Sequence, residues 1–289
     1  VGFASTIHSL RRTSTGATPR GSLYAGFGVG PDGALLAVSA AGLGDLAAED
    51  CVSARLRALN VTAPARGAAI GCELVFDEPA PLRLTVRAED RVIEVTTGRI
   101  RVGAAELEPI IDAATGQIAG LAEALYELPA LEGGGRLIIR SAAAVDGPIL
   151  EAVRSAASGA VATPLLAVED PRGVAELVVT GTFGVAPGSA TAPDDEAPLQ
   201  SSVLLQADVT WVAVTGKGEL RKVDGADGTA LAEALAEVAN DRGVRRTVEI
   251  AAETGVSAGQ IATAAATARR AGLAVVFCHP GALSARPPL

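Results

Sequence analysis

The segment Leu121-Ala122-Glu123-Ala124-Leu125 recurs letter for letter as Leu231-Ala232-Glu233-Ala234-Leu235, 110 residues further on. Ala-rich helix vocabulary repeats easily by chance, so the pentapeptide alone decides little. Two further features keep the spacing, however. The apolar runs that end at Ile139 and Ile250, and the helix-start residues Asp146 and Ser257, each lie 111 apart. Three successive elements at one offset are the signature of an internal repeat. Beyond the caps the offset is read as slipping to 113, at Gly159 and Gly272, and the polar loops do not match. The expectation is one α/β framework used twice, not one binding site used twice.

Of the 289 residues, 49% are hydrophobic and 20% charged, a globular balance. Aromatics are only 3%, so Ala, Val, Leu and Ile must build the cores. Leu23–Val29 and Leu35–Ser39 flank Pro31-Asp32-Gly33, which has hairpin-turn chemistry. Asp45 can cap a helix whose apolar face is Ala48, Val52, Leu56 and Leu59, and Ile70–Phe76 reads as the next strand. Strand, turn and strand are expected over Leu82–Val102, with Leu84, Val86 and Val92 set against alternating Arg, Thr and Glu. A helix Ile118–Leu128, a strand Leu137–Ile139, a helix opened by Asp146 and Pro148 that runs to about Ala157, and a strand Leu165–Val168 complete the unit, and Leu177–Val179 adds another strand. After a Pro/Gly/acidic linker around 185–200 the order restarts. It runs through β-like Val203–Val214 and Leu220–Val223, helix Leu231–Val238, strand Val248–Ile250, a helix from Ser257 and strand Ala274–Cys278.

The expected fold class is α+β, with three small two-layer α/β sandwich domains, the last two an internal duplication. The boundaries are a tail at 1–20, a ββαβ domain at 21–79, a first repeat at 80–172, an extra strand and linker at 173–200, a second repeat at 201–282 and a tail at 283–289.

The order strand, strand, helix, strand, capped helix, strand resembles the periplasmic domain of the ExbD/TolR family over roughly 82–170 and 201–280. The second unit carries the helix Leu231–Val238, the strand Val248–Ile250, the loop to Ser257, and Ala268-Arg269-Arg270-Ala271-Gly272 followed by Leu273–Cys278. The first unit has Gly159 in place of the Arg-Arg-Ala-Gly ending. Residues 21–79 are similar to a TonB C-terminal domain: Asp32-Gly33 lies between two strands, Cys51-Val52 through Leu56-Arg57 form the helix, and Gly71–Phe76 closes the sheet. The resemblances imply a periplasmic or envelope scaffold or adaptor that works through contacts with envelope proteins, by strand addition or self-association. ExbD-type proteins also have a membrane helix with an ionisable Asp. No apolar stretch here is long enough to match it, so an ion-driven role does not carry over. Val1 stands where an initiator Met would be, and either a processing site or an upstream segment is expected before it.

Gly255-Val256-Ser257-Ala258-Gly259 spells the nucleophile elbow of α/β-hydrolases, between a strand and a helix. No Asp or Glu follows Ser257, and the only later histidine is His279. Asp146, its equivalent in the repeat, has no such motif around it. Asp146 and Ser257 are therefore read as helix caps rather than an active site. A serine hydrolase using Ser257 remains an alternative function, as does a self-assembling structural subunit of an envelope or surface assembly. Cys51 and Cys72 either pair as a disulfide in an oxidising compartment or are two buried thiols, and Cys278 reads as core. Trp211 is a possible partner contact, although core packing is the usual fate of a strand Trp. Gly26, Gly28 and Gly30 lack dinucleotide-binding spacing, and Gly216-Lys217-Gly218 lacks the rest of a phosphate loop. Gly133-Gly134-Gly135 reads as a connection and Asp194-Asp195-Glu196 as a solvated linker. With only His8 and His279 as histidines, no metal or cofactor site is expected. The formal net charge of −9 argues against nucleic acid as a partner.

Overall fold

A computed structural model describes residues 21–29, 32, 34–43, 45–59, 68–76, 84–129, 131, 135–160, 164–169, 175–179, 199–215, 220–224, 228–241 and 243–285. Residues 1–20 with His8, Gly30, Pro31, Gly33, Gly133, Gly134, the Asp194–Glu196 run, Gly216-Lys217-Gly218 and the Cys72 side chain lie outside the described residues. Among the described residues the fold mixes α and β, in sheets of three, six and five strands.

The N-terminal sheet runs β2-β1-β3, from β1 (Gly21–Val29), β2 (Leu35–Ala41) and β3 (Ala68–Phe76), all antiparallel. Inward-facing Leu23, Ala25, Phe27 and Val29 alternate along β1, as period-2 burial requires. Helix α1 (Leu46–Arg57) starts at Asp45, whose Oδ1 accepts from the backbone N–H groups of Ala47 and Ala48. Val52 and Leu56 seal it onto that sheet.

The central sheet has the order β6-β5-β4-β7-β8-β9. Its members are β4 (Arg91–Val95), β5 (Ile100–Val102), β6 (Ala105–Leu107), β7 (Leu137–Ala142), β8 (Leu165–Glu169) and β9 (Ala175–Val179). The C-terminal sheet has the order β12-β11-β10-β13-β14. It comprises β10 (Leu199–Leu205), β11 (Val209–Val214), β12 (Leu220–Asp224), β13 (Val244–Ala252) and β14 (Ala274–Phe277). Both place a three-stranded meander beside parallel strands reached through helices. These are α2 (Leu121–Tyr126) and α3 (Gly147–Ala160) in the central unit, and α4 (Gly228–Asn240) and α5 (Ala258–Arg270) in the C-terminal unit. Registers correspond as well: Ile93 lies opposite Ile139 where Val203 lies opposite Ile250, and Ile138 opposite Leu165 where Glu249 lies opposite Val276.

Several expectations need correction. The expected strand at Leu84 and Val86 is irregular chain, because Thr85 O is taken by a buried arginine instead of a ladder partner. Val203–Val214 is two strands, split where Gln206 N–H turns back onto Val209 O. Helix α2 is shorter than Ile118–Leu128: Gly120 precedes it in a left-handed conformation (φ 74°), and Ile118 instead bridges Ile111. The slip to 113 does not occur in the fold. Gly159 lies inside α3, whereas Gly272 turns the chain after α5 at φ 81°, and the strands keep the 111 offset. The segment 173–200 contributes β9 to the central sheet, and Leu199 and Gln200 already belong to β10. The supposed tail from 283 begins packed: Leu283 and Ala285 are buried, because Leu283 covers Leu204 and Ala251 on the outer face of the C-terminal sheet.

One apolar core joins the two larger units. It runs from Ile93, Ile139 and Leu166 through α3 and α5 to Ile250 and Phe277. Helix α5 touches β13 and β14 of its own sheet and β7, β8 and β9 of the other.

Candidate functional site

Asp146 and Ser257, 111 residues apart, meet as an antiparallel bridge. Gly147 N–H donates to Val256 O, and Ala258 N–H donates to Val145 O, each at 2.7 Å. The two bonds exchange under the 111 offset, so the junction has local two-fold character. Gly259 N–H adds a bond to Ala143 O at 2.9 Å; the equivalent residue is Pro148, which has no N–H to donate.

This contact accounts for the Gly-x-Ser-x-Gly spelling. Gly255 sits at φ +86°, a conformation that favours glycine, and its N–H donates to Asp146 Oδ1 at 3.0 Å. A Cβ on Gly259 would stand 3.2 Å from Ala143 Cβ. Ser257 Oγ accepts from Gln260 N–H at 3.3 Å while Gln260 Oε1 accepts from Ser257 N–H at 2.8 Å, a complete capping box. The Asp146 carboxylate, in contrast, reaches across the junction.

A second junction, invisible in the sequence, ties the N-terminal unit to the central sheet. Arg136 is 3% exposed. Its Nε and Nη2 donate to Asp90 at 3.1 and 2.7 Å, and Nη2 also donates to Thr85 O at 2.7 Å. Nη1 donates to Ala40 O at 3.1 Å and to Glu49 at 3.4 Å. Glu49, fully buried on α1, also accepts from Gly42 N–H at 3.0 Å and pairs with Arg87. Burial works against the charge on Arg87, but Asp50, Glu49 and Asp90 outweigh it and hold its pKa above the usual value. Ala41 and Leu84 add apolar contact with Ile138 and Leu165.

Beside the junction of the larger units lies a cleft of about 530 Å³, within the size range of ligand sites. It is lined by Glu151, Ala152 and Ser155 of α3, by Glu253 and Thr254 after β13, and by His279 and Pro280 after β14. The carboxyl ends of parallel strands, where α/β sheets commonly hold ligands, form one wall. Glu253 Oε2 accepts from Gln206 Nε2 at 2.9 Å, and Gln206 Oε1 accepts from Trp211 Nε1 at 2.8 Å. Trp211, half-buried against Leu204 and Leu283, thus stands two hydrogen bonds behind a cleft carboxylate. His279 Nδ1 accepts from Gly281 N–H at 2.9 Å. Its ring proton therefore lies on Nε2, the tautomer opposite to that of a general base aimed at a serine.

Cys51 and Cys72 belong to the N-terminal unit, whereas Cys278 directly precedes His279 of the cleft. Cys51 is a half-buried free thiol on α1. Cys72 lies opposite Ala25 in the β1–β3 ladder. For Cys278, burial pushes the thiol up to about 12; Glu249 and Glu151 add to the shift and Arg154 opposes it. Among the described residues no group of three His, Cys, Asp or Glu side chains is placed to hold a metal ion, and no helix is long and apolar enough to cross a membrane.

No protein-family model and no curated protein matches the chain.

Proposed function

We propose that this protein is a non-catalytic scaffold or adaptor of a bacterial cell envelope, built on one α/β unit used twice and acting through protein–protein contacts. One observation carries the reading. The only motif with a nucleophile's spelling, Gly255–Gly259, is spent on the backbone bridge that joins the two larger units. The shared strand order and the exchange of bonds under the 111 offset support duplication. Placement in the periplasm rests on the likeness to ExbD/TolR and TonB C-terminal domains.

The expected outcome of chemical crosslinking in envelope fractions, followed by purification of the chain, is recovery of a defined envelope protein. Recovery of none argues against the reading. Self-association seen by light scattering at micromolar concentration would favour a structural subunit instead. A fluorophosphonate probe is expected to leave the protein unlabelled. Labelling that disappears in Ser257→Ala would establish the hydrolase alternative.

A further inference from the structure

The cleft carries polar residues that its framework does not require. Under the 111 offset Glu151, Ser155, Glu253 and Thr254 correspond to Ala262, Ala266, Ala142 and Ala143. The same backbone thus accepts alanine at all four places on the other side of the junction. The surroundings differ too. In the central unit β9 follows β8 and packs on α5, whereas beyond β14 the chain turns into a short 3-10 helix, Pro280–Ala282, at the cleft rim.

Among the described residues two carboxylates line this cleft, Glu151 and Glu253, and they are not equivalent. Glu151 is paired with Arg154 on its own helix, so its charge is already compensated. Glu253 is held by a neutral partner: Gln206 occupies Oε2, and Trp211 fixes Gln206 in turn. Such a relay orients a carboxylate without neutralising it. The same cleft is lined by Ser155, Thr254 and His279, whose hydroxyl and ring N–H groups are donors suited to carbonyl oxygens, and by Pro148, Ala152 and Pro280 as apolar walls.

We propose that the cleft binds a Lys or Arg side chain presented on a peptide segment of a partner protein, with Glu253 as the anchor for the cationic group. This deepens the adaptor reading and rests on it. The cation's alkyl stem would lie on the apolar walls, while the peptide carbonyls would meet the hydroxyls and the imidazole N–H.

The sequence contains a single tryptophan, and Trp211 is hydrogen-bonded into the relay, so intrinsic fluorescence reports on the site. The experiment titrates the whole protein with acetyl-Gly-Lys-Gly-amide, with the matching Glu peptide and with spermidine, by fluorescence and calorimetry. Saturable binding of the Lys peptide is expected, weaker at high salt and reduced about tenfold in Glu253→Gln. That variant keeps an acceptor for Gln206, and Ala266→Ser, on the opposite side of the junction, is expected to bind like the parent. Equal binding by Glu253→Gln, preference for the Glu peptide, or no saturable binding at millimolar peptide would each overturn the assignment. Binding of spermidine without the Lys peptide would overturn the peptide source. A crosslinked envelope partner alongside an inert cleft would sink this inference and leave the adaptor reading standing.

Discussion

Arg136 shows how one side chain can hold two units together. All of its donor nitrogens find acceptors, and those acceptors come from β2, α1 and the chain leading into β4. Removing the guanidinium would leave Asp90 buried without its paired cation and Glu49 with the Arg87 contact in place, and breaking a buried pair in this way typically costs about 3–5 kcal/mol. Arg136→Met is therefore expected to lower the stability of the N-terminal unit by roughly that amount, read from the urea midpoint at constant slope. Cys278 makes a different prediction. Its thiol is held neutral in the fold to about pH 12, against an ordinary value of 9.0. The unfolded chain loses this proton first, so the contribution to stability is intact below pH 9 and declines between about 9 and 12. The decline should be shallower in Cys278→Ala, and alkylation of Cys278 at pH 8 should be slow until the protein is unfolded.

At the scale of elements, the strands and helices near the junction owe their positions to backbone contact as much as to apolar faces. Gly147 begins α3 where any Cβ would lie 3.0 Å from Val256 O and 3.1 Å from Ala252 Cβ. Gly147→Ala is expected to cost about 1–3 kcal/mol through overpacking. Gly98, in the β4–β5 turn, has nothing within 4 Å of an added Cβ, so Gly98→Ala should change stability by less than about 0.5 kcal/mol. Thermal melting of the two variants side by side checks both. The outer sheet faces diverge for a related reason. Val92 and Ile138 meet the N-terminal unit, whereas their counterparts Ser202 and Glu249 hold the C-terminal chain, Ser202 Oγ accepting from Ala285 N–H and Glu249 from Ser284 N–H. The inner faces share one core, and the outer faces differ with what covers them.

Across the whole molecule, the two larger units have no separate cores to lose. Val203 and Ile250 belong to the same buried cluster as Ile93 and Ile139, and Arg154 of α3 lies 5.9 Å from the Phe277 ring centroid. Calorimetry is expected to show one cooperative transition for both units together, and two resolved transitions would contradict a shared core. Local chemistry made much of this readable from sequence. Alternation along β1, the 3.6-residue apolar face of α1, the caps at Asp45 and Ser257 and the common offset all follow from contacts within a few residues or from direct repetition. The partners of Glu49, Arg136 and Glu253 were not readable. A buried carboxylate looks like a solvated one until a guanidinium from 87 residues away, or an indole relay from another strand, is brought to it. The sequence by itself determined the alternating strands, the caps at Asp45 and Ser257 and the spacing of 110–111 residues between like elements, because periodicity and capping are local. Only the tertiary structure decided that the central and C-terminal units bridge at Asp146 and Ser257 and leave a polar cleft beside the junction, because long-range packing sets which backbone groups meet.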